Sequence, residues 1–167
     1  MVGRGPVNQE IYDSLLLLQH RGQDSTGMAT AEPSGTFHVH KAKGQVREAF
    51  RTRDMRAPMG NLGLGHVRYA TKGTAGNEEE AQPFYVNAPY GIVLVHNGNL
   101  TNTRELTEEL FRKDRRHLNT SSDTELLVNV LANELQTVIS GPDLDPEQVF
   151  QAVTRVHERA EGSYAAI

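Results

Sequence analysis

The sequence predicts an α+β fold, on three observations. The first apolar pattern, residues 6–20, has helical period. The residues after it break into short strand-like runs separated by Gly, Pro and Ser. Helical patterns return only beyond residue 102, so the long alternation of strand, helix and parallel strand that marks a doubly wound sheet is missing.

Taken in order, residues 6–20 read as a helix because Pro6 suits a first helical position and Val7, Ile11, Leu15 and Leu18 share a face. Gly22 supplies its stop. Residues 26–31 and 36–41 read as strands joined around Pro33-Ser34-Gly35. Residues 63–70 form a further strand, 72–82 an irregular polar loop, and 84–88 with 91–96 a hairpin around Pro89-Tyr90. Asn102 with Glu105, and Ser122 with Glu125, have the spacing of capping boxes, and the second pair puts Asp123 in a first helical turn. Leu126, Leu127, Val130, Leu131, Leu135 and Val138 then line one apolar face. Asp145-Pro146 opens a last helix that runs to about Gly162. Tyr164-Ala165-Ala166-Ile167 begins an apolar strand at the very end, from which a C-terminal truncation is expected.

Composition narrows the classes. A length of 167 residues fits one domain, expected to span 1–167 and to be incomplete. The longest purely apolar run, Leu15 to Leu18, falls far short of the about 20 residues a bilayer needs, and no signal peptide is visible. The cytoplasm is therefore the expected compartment, and no membrane partner is expected. A net charge of −4 gives no basic footprint for nucleic acid, and the bunch from Arg112 to Arg116 reads as a solvated helix end. The chain has no cysteine, which excludes a disulfide framework and a thiolate metal site.

Several residues have the chemistry of a site, each with an ordinary structural role beside it. In Val95-His96-Asn97-Gly98-Asn99, an Asn amide and the backbone N–H of a Gly could together hold a developing oxyanion, although Asn-Gly is also a common turn. Arg68 has the planar fork that grips a carboxylate, or it is a surface arginine. Asp123 could accept hydrogen bonds from an ammonium group, or simply suit a helix N-terminus. Arg68 and Asp123 together complement an amino-acid zwitterion. His38 and His40 share a strand face but lack further ligands, so both are expected to face solvent, while His66 and His96 read as satisfied structural histidines. Ser14, Ser25 and Thr26 lack the surroundings of an esterase nucleophile, and no phosphate-binding glycine motif is present.

In combination these segments resemble one family. Pro6-Val7-Asn8-Gln9, Leu18 to Asp24, Gly65 to Thr71, Ala81-Gln82-Pro83-Phe84, His96 to Asn102 and Thr120 to Glu125 are similar to the glutamine-hydrolysing, class II amidotransferase domain of the amidophosphoribosyltransferase family. The resemblance covers essentially the whole chain. Gln23 and Tyr69 stand where the glucosamine-6-phosphate-forming relatives usually have Tyr and Trp, which favours the purine-synthesis family.

The resemblance implies an N-terminal nucleophile hydrolase fold, a four-layer α/β/β/α sandwich of two antiparallel sheets, here truncated at both ends. It implies hydrolysis of glutamine to glutamate and ammonia, with the ammonia passed to phosphoribosyl pyrophosphate in a C-terminal phosphoribosyltransferase domain that this chain does not contain. By matching positions, Arg68 would bind the glutamine α-carboxylate and Asp123 its ammonium. Asn97 and Gly98 would form the oxyanion hole, Tyr69 and Thr71 would line the pocket, and Arg21 and Gly22 would flank the nucleophile. No cofactor is expected in this domain, and Mg2+ only in the missing one. The parent is expected to be a homo-oligomer.

In the family the nucleophile is an N-terminal cysteine. Its thiolate attacks and its own α-amino group, with a pKa of about 7.7–8.0, serves as base. Met1-Val2-Gly3 has no such group, so the chain as it stands is expected to be inactive. The other readings open at this point are a non-catalytic glutamine-binding or regulatory module and the glutaminase domain of a glucosamine-6-phosphate synthase-like enzyme.

Overall fold

The first helix, α1 (Asn8–Leu18), forms where the apolar period is strongest, and it buries Val7, Ile11 and Leu15. Pro6 precedes its N-cap, Val7, rather than opening the helix. Leu18, expected on the buried face, is exposed, because the chain tightens into a 3-10 turn at Gln19–Arg21 and turns that side chain outward. The computed structural model describes residues 1–56, 58–69 and 78–167, which divide into two units, Met1–Pro83 and Phe84–Ile167.

The first unit is built on a three-stranded antiparallel sheet. Its centre is β1 (Ser25–Ala31), flanked by β2 (Phe37–Lys43) and β3 (Leu62–Arg68). The β1–β2 turn falls at Pro33-Ser34-Gly35, closed by the Glu32 N–H donating to the Thr36 carbonyl at 2.9 Å. A short helix, α2 (Val46–Ala49), is held by a capping box between Gln45 and Glu48. The core joins α1, α2 and the sheet through residues that include Met28, Val46, Phe50 and Val67. At Met1–Gly3 the chain runs antiparallel to the start of β3, with Val2 bridging Leu62. His38 and His40 are half-buried and engaged, contrary to the solvent-facing expectation. His38 Nε2 meets Glu32 Oε1 at 2.6 Å, and His40 Nε2 meets the Ala49 carbonyl at 2.8 Å.

The second unit pairs β4 (Phe84–Val86) with β5 (Ile92–Leu94), and β6 (His96–Leu100) with β7 (Gly162–Ala166), both antiparallel. Helices α3 (Thr103–Glu109), α4 (Asp123–Val138) and α5 (Pro146–Arg159) complete it. Buried Leu100, Leu106, Leu110, Leu126, Leu127 and Val156 belong to its core. Helix α4 is buried without a break from Thr124 to Val130, a wider apolar surface than the single stripe expected. Arg159 at the end of α5 binds Glu134, Glu109 and Asp114, tying α5 to α4 and to the turn after α3. That turn, Leu110–Asp114, is the basic bunch, and its Arg112 and Lys113 pair with Glu108 and Glu109.

Two capping boxes expected from spacing do not form. The Asn102 side chain reaches instead to the end of α5 and the residue before β7, donating to the Arg159 carbonyl at 2.8 Å and accepting from the Glu161 N–H at 3.0 Å. Ser122 does cap α4, but Glu125 turns to the preceding loop and accepts from the N–H groups of Asn119 and Thr120 at 2.9 and 2.8 Å. In both cases a longer-range donor or acceptor offers a better-aligned partner than the local one.

Candidate glutamine site

Two clusters of the expected residues form, one in each unit. The first gathers around Arg68 at the end of β3. Arg68 faces Ser25 across the sheet, and its carbonyl accepts from the Asp24 N–H at 3.0 Å. Its Nη1 donates to Asp24 Oδ2 and its Nη2 to Glu80 Oε2, both at 2.8 Å, with the Arg68 side chain 13% exposed and that of Glu80 3%. Short geometry and burial place these among the strong, charge-assisted hydrogen bonds. A guanidinium has five N–H donors, so three remain after these two bonds. Tyr69 beside it is largely exposed, and Thr71 lies outside the described residues.

Gly22 is fixed against this strand by contact rather than by unusual backbone. Its φ of −176° is extended, so it is not the left-handed stop that its position suggested. A Cβ built there would lie 2.4 Å from the Arg68 carbonyl carbon and 2.7 Å from the Tyr69 nitrogen. Only glycine lets the Gln19-His20-Arg21-Gly22 turn lie flat on the end of β3. The turn is clamped by Gln19, whose Nε2 donates to the Gly22 carbonyl at 2.6 Å while its Oε1 accepts from the Val46 N–H at 2.7 Å. Arg21 is exposed at the end of that turn.

The second cluster lies on β6. Asn97-Gly98 is not a strand-to-helix turn, as the dipeptide alone suggests, but the middle of a strand, with Asn97 opposite Ala165 and Gly98 opposite Tyr164. Val95 exchanges both backbone bonds with Ile167, and the Thr101 N–H donates to Glu161. Antiparallel alternation then assigns Asn97 and Asn99 to bonded pairs, and turns the N–H groups of His96, Gly98 and Leu100 to the opposite edge. The Leu100 N–H shows where that edge leads, for it donates to Asp123 Oδ2 at 3.3 Å. Gly98 has φ +133°, and a Cβ there would lie 2.2 Å from the Ser163 carbonyl oxygen, so this position requires glycine twice over.

Asp123 stands in the first turn of α4, as expected, with Ser122 as N-cap. His96 is buried beside it, its Nδ1 3.5 Å from Asp123 Oδ1 and 3.3 Å from Thr124 Oγ1. Burial pushes the His96 pKa below its ordinary value, and the nearby Asp123 carboxylate opposes the shift. The structure thus brings Gly98 and Asp123 to one edge of β6, with Asn97 next to Gly98 in the strand, and Arg21, Gly22, Arg68 and Tyr69 to the end of β3.

Asp24, Glu80 and Gln19 were given no role from the sequence, and His96 only a structural one. Asp24 and Gln19 lie inside a quoted motif, and Glu80 directly precedes another, so proximity to motifs was the signal that could have found them. Among the described residues, no group of three or more His, Asp or Glu could hold a metal ion, and no helix is long and apolar enough to cross a membrane.

Comparison with known proteins identifies the family. A family profile described as the glutamine amidotransferase domain matches residues 54–140, about half of the chain. The amidophosphoribosyltransferase of Pasteurella multocida (strain Pm70) is 53% identical over the whole chain, and that of Escherichia coli (strain K12) is 48% identical. The chain spans 33% of the length of each of these relatives. Among solved structures, the glutamine phosphoribosylpyrophosphate amidotransferase from B. subtilis, complexed with ADP and GMP, superposes with a TM-score of 0.78 at 28% identity, covering 99% of this chain and 33% of that one. The mixed helices and antiparallel sheets are those of the N-terminal nucleophile hydrolase type, and the chain belongs to the glutamine amidotransferase domain family.

Proposed function

We propose that this chain is a glutaminase domain, 1–167, that binds glutamine and, when furnished with an N-terminal cysteine, hydrolyses it to glutamate and ammonia. In the longer parent the ammonia goes to phosphoribosyl pyrophosphate, held by a C-terminal phosphoribosyltransferase domain. The observation that carries the reading is the edge of β6 away from β7, where the Gly98 N–H is turned off the β6–β7 ladder on the same edge as the Asp123 carboxylate. That edge offers an oxyanion donor and an ammonium acceptor to one small ligand, with the Asn97 amide as second donor. Arg68, whose fork keeps three N–H groups beyond its two carboxylate partners, binds the α-carboxylate. Tyr69 and Thr71 line the pocket, and Arg21 and Gly22 flank the nucleophile.

The chemistry balances without a metal. A thiolate adds to the side-chain amide carbon, and the oxyanion forms against Asn97 and Gly98. The C–N bond breaks as the nitrogen takes the proton that the cysteine's own α-amino group had accepted, and leaves as ammonia. Water then cleaves the thioester, giving glutamate and the free thiol.

The register at the chain start supports the site of attachment. Val2 bridges Leu62, and Met1 and Gly63 exchange bonds at 3.0 and 2.7 Å, so facing residue numbers sum to 64. A five-residue Cys-Gly-Ile-Val-Gly segment ahead of Met1, continued in this register along β3, puts its cysteine opposite Arg68, since 68 − 4 = 64.

The test is to add that segment, processed to a free N-terminal cysteine, and to measure ammonia release and melting temperature. Both should rise, and a serine in place of the cysteine should recover only the stability. A restored protein that folds, binds glutamine and releases no ammonia would overturn the catalytic reading in favour of a glutamine-binding module.

A further inference from the structure

His96 is unexplained by any role given so far. It is 3% exposed, at the start of β6, and its Nδ1 is aimed at two oxygens of α4, Thr124 Oγ1 at 3.3 Å and Asp123 Oδ1 at 3.5 Å. A buried imidazole is costly unless its ring nitrogens are hydrogen-bonded, and here Nδ1 meets Thr124 Oγ1 with Asp123 Oδ1 close beside it. The other Asp123 oxygen already accepts from the Leu100 N–H. The carboxylate is therefore held by the backbone of β6 on one side and approached by the ring at its start on the other.

Within the second unit, the titratable groups that face His96 are few. Asp123 faces it from α4. Tyr164 of β7 has its ring 5.9 Å away and passes its hydroxyl to His157 Nδ1 of α5 at 2.9 Å. Among these described groups of the second unit, Asp123 is the anion nearest the imidazole, and His157 is one aromatic ring removed.

We propose that His96 is a positioning residue for Asp123: the neutral imidazole orients the carboxylate toward an ammonium ligand, and the protonated imidazole competes with that ligand for it. The inference rests on the reading of Asp123 as the acceptor for the glutamine ammonium. It adds that a proton on His96 and the ligand's ammonium exclude one another. Neither α-group of glutamine titrates between about pH 5 and 7, so a pH effect in that window belongs to the protein. Under full exclusion the dissociation constant rises about tenfold per pH unit below the His96 pKa. By linkage, bound glutamine lowers that pKa.

The experiment is an NMR titration of the chain's histidine side chains from pH 5 to 7.5, with and without glutamine, while backbone amides report binding. The expected result is a His96 titration displaced to lower pH by glutamine, a displacement that Asp123→Asn abolishes. His96→Asn, which keeps a donor near the Nδ1 position, should bind with an affinity independent of pH. His96→Phe should bind more weakly throughout, and His157→Gln should leave the wild-type profile in place. If glutamine shifts the Asn97 and Gly98 amides while the His96 titration stays where it was, the inference is overturned and the glutamine reading survives. If glutamine shifts none of these resonances, the glutamine reading falls, and this inference falls with it.

Discussion

Replacing Arg68 by methionine removes a cation that Asp24 and Glu80 share. The arginine side chain is 13% exposed, and its partners' are 20% and 3% exposed, so neither bond belongs to the solvent-screened class. Removing one member of a buried ion pair typically costs about 3–5 kcal/mol, because the charge left behind is no longer compensated. For a domain of this size, each kcal/mol moves the melting point by about 2–4 °C, so Arg68→Met should lower it by about 6–20 °C. Urea denaturation should show the midpoint falling at constant slope. The double variant Arg68→Met with Glu80→Gln also removes the Glu80 charge that Arg68 neutralises. It should be more stable than the sum of the single variants predicts, with a coupling of about 1–3 kcal/mol. A cost below about 1 kcal/mol for Arg68→Met, the range of exposed pairs, would refute the reasoning. It would mean that water reaches the two carboxylates as soon as the arginine is gone.

Other perturbations read other parts of the site. The 167-residue chain, with no cysteine, should release no ammonia from glutamine above a buffer blank, and turnover of even about 1 s⁻¹ would contradict this. Arg68→Lys in the length-restored protein should weaken glutamine binding measured by calorimetry, since an ammonium cannot replace the planar fork. Gly98→Ala should destabilise the chain by about 1–3 kcal/mol through overpacking, because the new methyl group meets the Ser163 carbonyl oxygen, and chemical denaturation measures this directly. His96 has its folded-state pKa lowered from 6.5, so between that lowered value and 6.5 the unfolded chain binds more protons. Its contribution to stability is complete above pH 6.5 and is lost as pH falls below it, and His96→Asn should flatten that part of a stability–pH curve.

What the sequence revealed and what it hid divide along range. Helices α1, α4 and α5 were legible because their apolar period and capping residues lie within a few positions of each other, as Asp145 and Gln148 do. The β1–β2 hairpin was legible for the same reason, its turn being written in Pro33-Ser34-Gly35. The identity of β6 was hidden. His96 to Leu100 is polar, it carries the strongest turn dipeptide in the chain, and its partner β7 lies more than sixty residues away. Propensity scores a segment against its neighbours, and the pairing that makes this one a strand is tertiary. The partners of Arg68 were hidden likewise, one 44 residues upstream and one 12 downstream. Asp24 and Glu80 differ in no visible way from solvated carboxylates until the sheet sets them around one guanidinium.

The two bonds of Asn102 have a consequence for how the second unit opens. Asn102 lies just beyond β6, and its amide grips the chain on both sides of the α5–β7 junction. It works as an extra rung in the ladder, made by a side chain. A slip of β7 by one residue would break both of these bonds and would also move Tyr164 to the other face. The strand therefore cannot shuffle, nor can it peel away from its Gly162 end without first releasing Asn102. In hydrogen-exchange terms, β6, β7 and the last turn of α5 should open as one cooperative block, with the amides of Glu161, Thr101 and Val95 exchanging at a common rate. Asn102→Ala should break that unison first at Glu161, the end at which the rung is lost.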